Sequence, residues 1–217
     1  MIQDLKKVYK FKYTILSLGI SELKLKYTGS ILGFFWSILE PLSIILIYSL
    51  IFPLILKVNF LEWVLFFLCG RIPYRYLRKG ILDLTTSLVE RRDILLKATL
   101  PTEIIPLSRL FSNSVSFFLE SLVISLFILI FVKPSPYLLA FPLLFIIQLF
   151  FICGMGLFFS VYYPRFRDLN YILNIVFEAF FFLTPVVYRI DFIPLSYRKF
   201  YLLNPSEKTC FGFYRYW

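Results

Sequence analysis

The chain has no histidine and only three cysteines in 217 residues. Without imidazole it lacks the usual acid–base group near neutral pH and the commonest metal ligand. Three cysteines exclude a disulfide framework and argue against a Cys/His metal site. Cys69 and Cys153 sit in apolar runs, where a thiol is a small packing group. No GxxxxGK[ST] stretch occurs, so this chain does not itself bind ATP through a P-loop. A secretory signal peptide is not expected either, because the first long apolar run starts late and lacks a small-residue cleavage site. Acids are few, 13 against 23 Lys plus Arg, giving a net charge of +10.

Apolar surface is what the chain has in plenty. Hydrophobic residues make up 59% and aromatics 21%. A soluble domain of this size needs far less, so the expected class is an all-α, polytopic integral membrane protein. The cations lie between apolar runs, where they set membrane orientation. The expected surroundings are therefore membrane lipids, and no nucleic-acid partner is expected.

The chain turns on residues 26–42, KYTGSILGFFWSILEPL, where a basic lead-in becomes an apolar run. Residues 1–30 form the lead-in. Ile2, Leu5, Tyr9, Tyr13, Leu16, Ile20, Leu23 and Tyr27 repeat at intervals of three and four, one face of a helix. Lys6, Lys7, Lys10 and Lys24 fall mostly off that face, as in a helix lying in the membrane interface. The plainer alternative is a lysine-rich tail that only fixes topology. From Ile31 to Leu56 the one charge is Glu40, and about 20 residues cross a bilayer core as a helix.

The second run, Leu61 to Gly70, is too short alone. If its helix continues through RIPYRYLRKG, then Arg71, Arg75, Arg78 and Lys79 share one face. Such a face suits a water-filled passage for an anionic group such as phosphate, which arginine grips with a planar fork. The alternative is that the helix leaves the membrane near Arg71 and the cations are interfacial anchors. With about 1.5 Å of rise per residue, Glu40 lies roughly 12 Å into span one and Arg75 roughly 20 Å into span two. These depths predict that Arg75 or Arg78 neutralises Glu40.

Residues 85–102, TTSLVERRDILLKATLPT, form the longest polar connection and read as a short amphipathic helix near 88–100. A third span is expected over Ile104 to Val132 with Glu120 inside it, and a fourth over Tyr137 to Tyr162, with Gly154 and Gly156 allowing close packing. The YYPRFRDL turn carries Arg165, Arg167 and Asp168, and a fifth span from Leu169 to Tyr188 contains Glu178. Residues 189–217 read as an extracytoplasmic interfacial or re-entrant segment and tail. Glu40, Glu120 and Glu178 could form a proton relay, or each could simply be paired. No repeat relates the two halves, which weakens a secondary-transporter reading. Basic residues concentrate before Ile31, around Arg91 to Lys97 and at Arg165 and Arg167. That pattern puts the N-terminus in the cytoplasm. Cations after Tyr188 conflict mildly with it.

In order, KYTGSILGFFWSILEPL, RRDILLKATLPTEIIPLSRL, YYPRFRDLNYIL, TPVVY and LNP resemble the permease subunits of ATP-binding-cassette exporters. The likeness is to the type-two permeases for bacterial surface polysaccharides: O-antigen, capsule or teichoic acid. It runs from about Leu23 to Pro205. The resemblance implies a gate helix over 1–30, with Tyr27, Gly33, Trp36, Glu40 and Pro41 in the gate motif. It implies a permease domain over 31–188 whose coupling helix, with Glu90, Arg91, Arg92, Asp93, Leu95 and Lys97, docks on a separate ATP-hydrolysing subunit. Arg167 and Asp168 would mark a cytoplasmic turn. Tyr74, Tyr76, Phe180, Phe181 and Tyr188 would join the arginines along a passage where sugar faces stack on rings.

A homodimer of permeases with two ATP-binding subunits, ATP and Mg held by the partner, is implied in the bacterial inner membrane. The substrate would be a polymer on an undecaprenyl-pyrophosphate carrier, and this chain would not be an enzyme. Two departures are expected to matter. The family is more apolar where Arg71, Arg75 and Arg78 stand. It also has a sixth span after the LNP stretch, where this chain has twelve more residues, which gives five spans, an outer C-terminus and the expectation of a shortened permease. The competing readings are a drug or lipid exporter of the same superfamily, a truncated permease without transport, a membrane enzyme of glycolipid assembly, and a non-catalytic anchor.

Overall fold

The computed structural model describes residues 9–97, 100–131, 141–184 and 186, and the regular elements among them are all helical. Helix α1 spans Lys12–Tyr27 and closes with the Thr28 amide on the Leu25 carbonyl at 3.3 Å. Gly29 and Gly33 follow with φ of +81° and +48°, left-handed backbone that costs glycine almost nothing. This break corrects the expected start of the first span. A 3-10 turn, Gly33–Phe35, intervenes, and helix α2 runs from Trp36 to Leu56 rather than from Ile31.

Helix α2 ends on Lys57 in the left-handed region, φ 51°, with the Val58 amide on the Pro53 carbonyl. Asn59 Oδ1 then accepts the Leu61 amide at 3.0 Å and caps the start of α3, Phe60–Glu90. Helix α3 is unbroken for 31 residues despite Pro73. It therefore rises roughly 46 Å, more than the hydrocarbon core of about 30 Å. Thr85, Thr86 and Ser87, expected in a connection, belong to this helix and are buried. Thr85 donates its hydroxyl to the Ile81 carbonyl and Ser87 to the Leu84 carbonyl, so the polar run feeds the helix instead of ending it.

The expected helix near 88–100 contracts to α4, Arg92–Lys97, with Arg91 alone between it and α3. Then come α5, Ile104–Phe131, α6, Phe141–Tyr162, and α7, Leu169–Leu183. Among the described residues, Pro142–Tyr162 is the one stretch both long and apolar enough to cross a membrane alone. Leu42–Leu56 and Leu169–Leu183 are shorter apolar helices. Residues 1–8 of the amphipathic lead-in, Tyr188, and the re-entrant segment expected over 189–217 lie outside the described residues.

Two compact units are built from these helices. One takes Met1–Gly33, Tyr76–Ser116 and Ile147–Val176; the other takes Phe34–Arg75, Phe117–Ile146 and Phe177–Trp217. In the first, α3 and α6 pack glycine against aliphatic side chain twice. A Cβ on Gly80 would stand 2.7 Å from Ile152, and one on Gly156 would stand 2.5 Å from Leu84. The order of the two pairs, 80 with 152 and 84 with 156, makes the helices run parallel there. Gly154 meets nothing within 4 Å, so only one of the two predicted packing glycines serves that contact. Helix α1 seats on α5 at Gly19, where a Cβ would fall 2.6 Å from the Phe111 ring and 2.9 Å from the Ser108 carbonyl oxygen.

In the second unit, Tyr48 and Phe52 of α2 stack with Trp63 and Phe67 of α3. Their centroids are 4.9 to 5.7 Å apart, and the rings lie within 17° of parallel. Elsewhere large apolar side chains stay uncovered. Leu46, Ile47, Leu50 and Leu54 on α2 are exposed, as are Ile172, Ile175 and Phe182 on α7. Continuous apolar faces of this kind face lipid or another protein surface.

The glycine contacts give a first test. Gly156→Val overpacks Leu84 and is expected to cost about 1–3 kcal/mol, whereas Gly154→Val is expected to be nearly silent. Thermal unfolding of the two variants in detergent, followed by size-exclusion monodispersity, checks the difference.

Candidate functional site

In the second unit Arg75 sits between two carboxylates. Its Nη2 lies 3.1 Å from Glu40 Oε2 on α2, and its Nη1 lies 3.3 Å from Glu120 Oε1 on α5. The Glu40 contact is a hydrogen bond; the Glu120 contact is ionic without hydrogen-bond alignment. Arg75 and Glu120 are only 14% and 9% exposed, Glu40 53%. The pairing expected from depth thus forms with Arg75. Its geometry differs, because α2 begins at Trp36 and Glu40 lies only about 6 Å into it. Arg78, the other partner considered for Glu40, donates instead to Asn174 Oδ1 at 3.3 Å, within the first unit.

Around Arg75 the aromatic candidates divide. Tyr74 is buried and donates its hydroxyl to the Phe177 carbonyl. Its ring meets buried Phe181 at 5.3 Å, and the Arg71 guanidinium lies 5.0 Å over the same Phe181 ring. Phe180 is exposed. In the first unit Tyr76 is buried and bonds Ser114 Oγ at 2.7 Å, and Lys79 is half-buried. Trp36 at the head of α2 is exposed, Tyr27 is the last residue of α1, and Pro41 lies inside α2.

The first unit holds a second ionic cluster, which the sequence reading did not foresee. Arg109 of α5 reaches Glu22 of α1 through Nε at 3.1 Å and Glu90 through Nη2 at 2.7 Å; Arg91 Nε lies 3.5 Å from the same Glu22 oxygen. Glu90 stands at the end of α3, outside the apolar runs. Burial works against its charge, but the Thr86 hydroxyl and Arg109 outweigh it and hold its carboxyl below the usual range. An arginine five residues into an expected span was the available signal, since such a charge demands a partner. Beyond the cluster, Arg92, Asp93 and Lys97 of α4 are exposed and Leu95 is half-buried. Arg167 and Asp168 are exposed in the turn before α7, where the Asp168 carbonyl accepts the Ile172 amide. No cluster of potential metal ligands occurs among the described residues.

Three residues of the stripe expected to lie in the membrane interface are uncovered on α1. Tyr13, Leu16 and Ile20 are exposed, while Gly19 and Glu22 make the contacts with α5. The physical reason is Gly19: the missing side chain lets α1 approach closest on that side.

Comparison with known proteins decides the family. The model of the ABC-2 type transporter matches residues 13–207. The chain belongs to the ABC-2 type transporter family. Among its relatives are the O-antigen export system permease proteins RfbA of Myxococcus xanthus and Klebsiella pneumoniae. The first is 29% identical over 89% of this chain and 75% of its own length, the second 30% over 85% and 72%. The polysialic acid transport protein KpsM of Escherichia coli is 25% identical over 89% of the chain and 77% of its own length. In this ABC-2 chain the two ionic clusters are the densest chemistry described, and both join helices distant in sequence.

Arg75 should therefore matter more to folding than either acid alone. Arg75→Gln removes the cation that Glu40 and the buried Glu120 both face and is expected to cost about 3 kcal/mol. Glu40→Gln, at an exposed carboxylate, is expected to cost under about 1 kcal/mol. Chemical denaturation of the purified variants in micelles would separate these values, and equal costs would contradict the geometry.

Proposed function

We propose that this chain is the transmembrane permease subunit of an ATP-driven exporter of lipid-linked cell-surface polysaccharide. The observation that carries the reading is the match of residues 13–207 to the ABC-2 family together with curated relatives named for O-antigen and polysialic acid export. In this reading two copies of the chain associate with two ATP-binding subunits, which hold ATP and Mg and perform the hydrolysis. The substrate is a glycan on an undecaprenyl-pyrophosphate carrier, and the location is the bacterial inner membrane with the N-terminus in the cytoplasm. A drug- or lipid-exporting member of the same family is the second reading, and the names of the relatives favour the glycan.

Roles follow for the elements. Helix α1, with Tyr13, Leu16 and Ile20 uncovered, lies against headgroups and gates the cytoplasmic entrance, as its exposed stripe over lysines suggests. Helix α4 is the coupling helix. Arg92, Asp93, Leu95 and Lys97 form its docking surface with Leu96, which is 75% exposed. Glu90 and Arg91 brace that surface from behind. Within the second unit Arg71, with Tyr74, Phe180, Phe181 and the undescribed Tyr188, lines the passage; Arg78 and Lys79 are the candidates for that role in the first unit. Arg71 held over a ring supports a mixed cation–aromatic lining, which suits a phosphate beside a sugar. Exposed Arg167 and Asp168 return the chain at the cytoplasmic surface.

The test is purification from native membranes in mild detergent. A P-loop ATPase at equal stoichiometry is the expected companion. Leu96→Asp, on an uncovered side chain, should leave the permease folded and reduce the recovered ATPase at least tenfold. Purification without any ATPase would contradict the reading.

A further inference from the structure

One oxygen of Glu22 serves two arginines on different elements. Its Oε1 is 3.1 Å from Arg109 Nε on α5 and 3.5 Å from Arg91 Nε. Arg91 is the single residue joining α3 to α4. Arg109 turns its Nη2 to Glu90, the last residue of α3, at 2.7 Å. The side chains of Glu22, Arg109 and Arg91 are 13%, 16% and 27% exposed, so water screens these contacts weakly. One turn before Glu22, Gly19 brings α1 into contact with Ser108 and Phe111, which fixes where that carboxylate can point.

A clamp needed only to hold α1 on α5 would be complete with Arg109 alone. The second arginine stands at the one-residue junction ahead of α4, and it faces the same oxygen. Any displacement of α4 carries Arg91 with it and alters what Glu22 can hold. We propose that Glu22 is a positioning residue that ties the pose of α1 to the junction before α4, so that motion imposed on α4 is passed to α1 through the shared carboxylate. The identity of the agent that moves α4 rests on the exporter reading above; the tie between Glu22, Arg91 and Arg109 does not.

The experiment uses the permease assembled with its ATPase in vesicles containing lipid-linked glycan. Two quantities are measured: glycan exported per ATP hydrolysed, and hydrogen exchange of the α1 amides with and without ATP. Glu22→Gln is expected to lower the export ratio at least tenfold and to speed α1 exchange about tenfold. Arg91→Gln keeps the Glu22–Arg109 pair, so α1 should stay protected without ATP. Its α1 should no longer respond to ATP, and the export ratio should fall at least fivefold. If Glu22→Gln does not assemble, Arg91→Gln decides. An assembled Arg91→Gln complex with an export ratio within twofold of the parent and an unchanged ATP response in α1 overturns the proposal while leaving the exporter reading intact. A parent chain that binds no ATPase and whose α1 ignores ATP overturns both.

Discussion

A guanidinium inside an apolar helical protein must be neutralised where it stands, and this requirement organises the chain. Moving an ion out of water costs several kcal/mol even after relaxation, so each interior arginine fixes the helices that can answer it. Arg75 draws Glu40 of α2 and Glu120 of α5 to α3. Arg109 draws Glu22 of α1 and Glu90 of α3 to α5. Hydrophobic burial alone could not choose among helices whose surfaces are nearly all apolar. The charges, together with close glycine contacts such as Gly80 with Ile152 and Gly156 with Leu84, supply the register that apolar faces lack.

Much of this was legible in the sequence because long apolar runs and isolated charges are strong signals. Helix α5 falls almost where Ile104 and Val132 placed it, and the expected Glu40–Arg75 pair forms although Glu40 lies nearer the start of its helix than the depth argument assumed. The boundaries that failed share a cause. The start of α2 moved to Trp36 because Gly29 and Gly33 take left-handed backbone. The end of α3 moved to Glu90 because hydroxyl side chains found carbonyls within their own helix. Both are local backbone choices that hydrophobic periodicity does not encode. The Glu22–Arg109 pair escaped because partners 87 residues apart carry no shared spacing. Helix α1 meets α5 at Gly19, a residue that contributes no side chain and that the apolar stripe does not include.

Function enters through the division of labour among these helices. Those with uncovered apolar faces, α2 and α7, are built to meet lipid or another subunit. Helix α4 presents exposed Arg92, Asp93, Leu96 and Lys97, while Gly19 and Glu22 of α1 contact α5. Stacked rings brace α2 against α3 within the second unit, and the glycine contacts interlock α3 and α6 within the first.

The most direct measurement is translocation in proteoliposomes that hold the permease, its ATPase and a pyrophosphate-linked glycan. Appearance of the glycan on the opposite face, read by a lectin or glycosidase confined to that side, should require ATP and both subunits. Glycan that stays on its original face while ATP is hydrolysed would contradict polysaccharide export as the function of this chain.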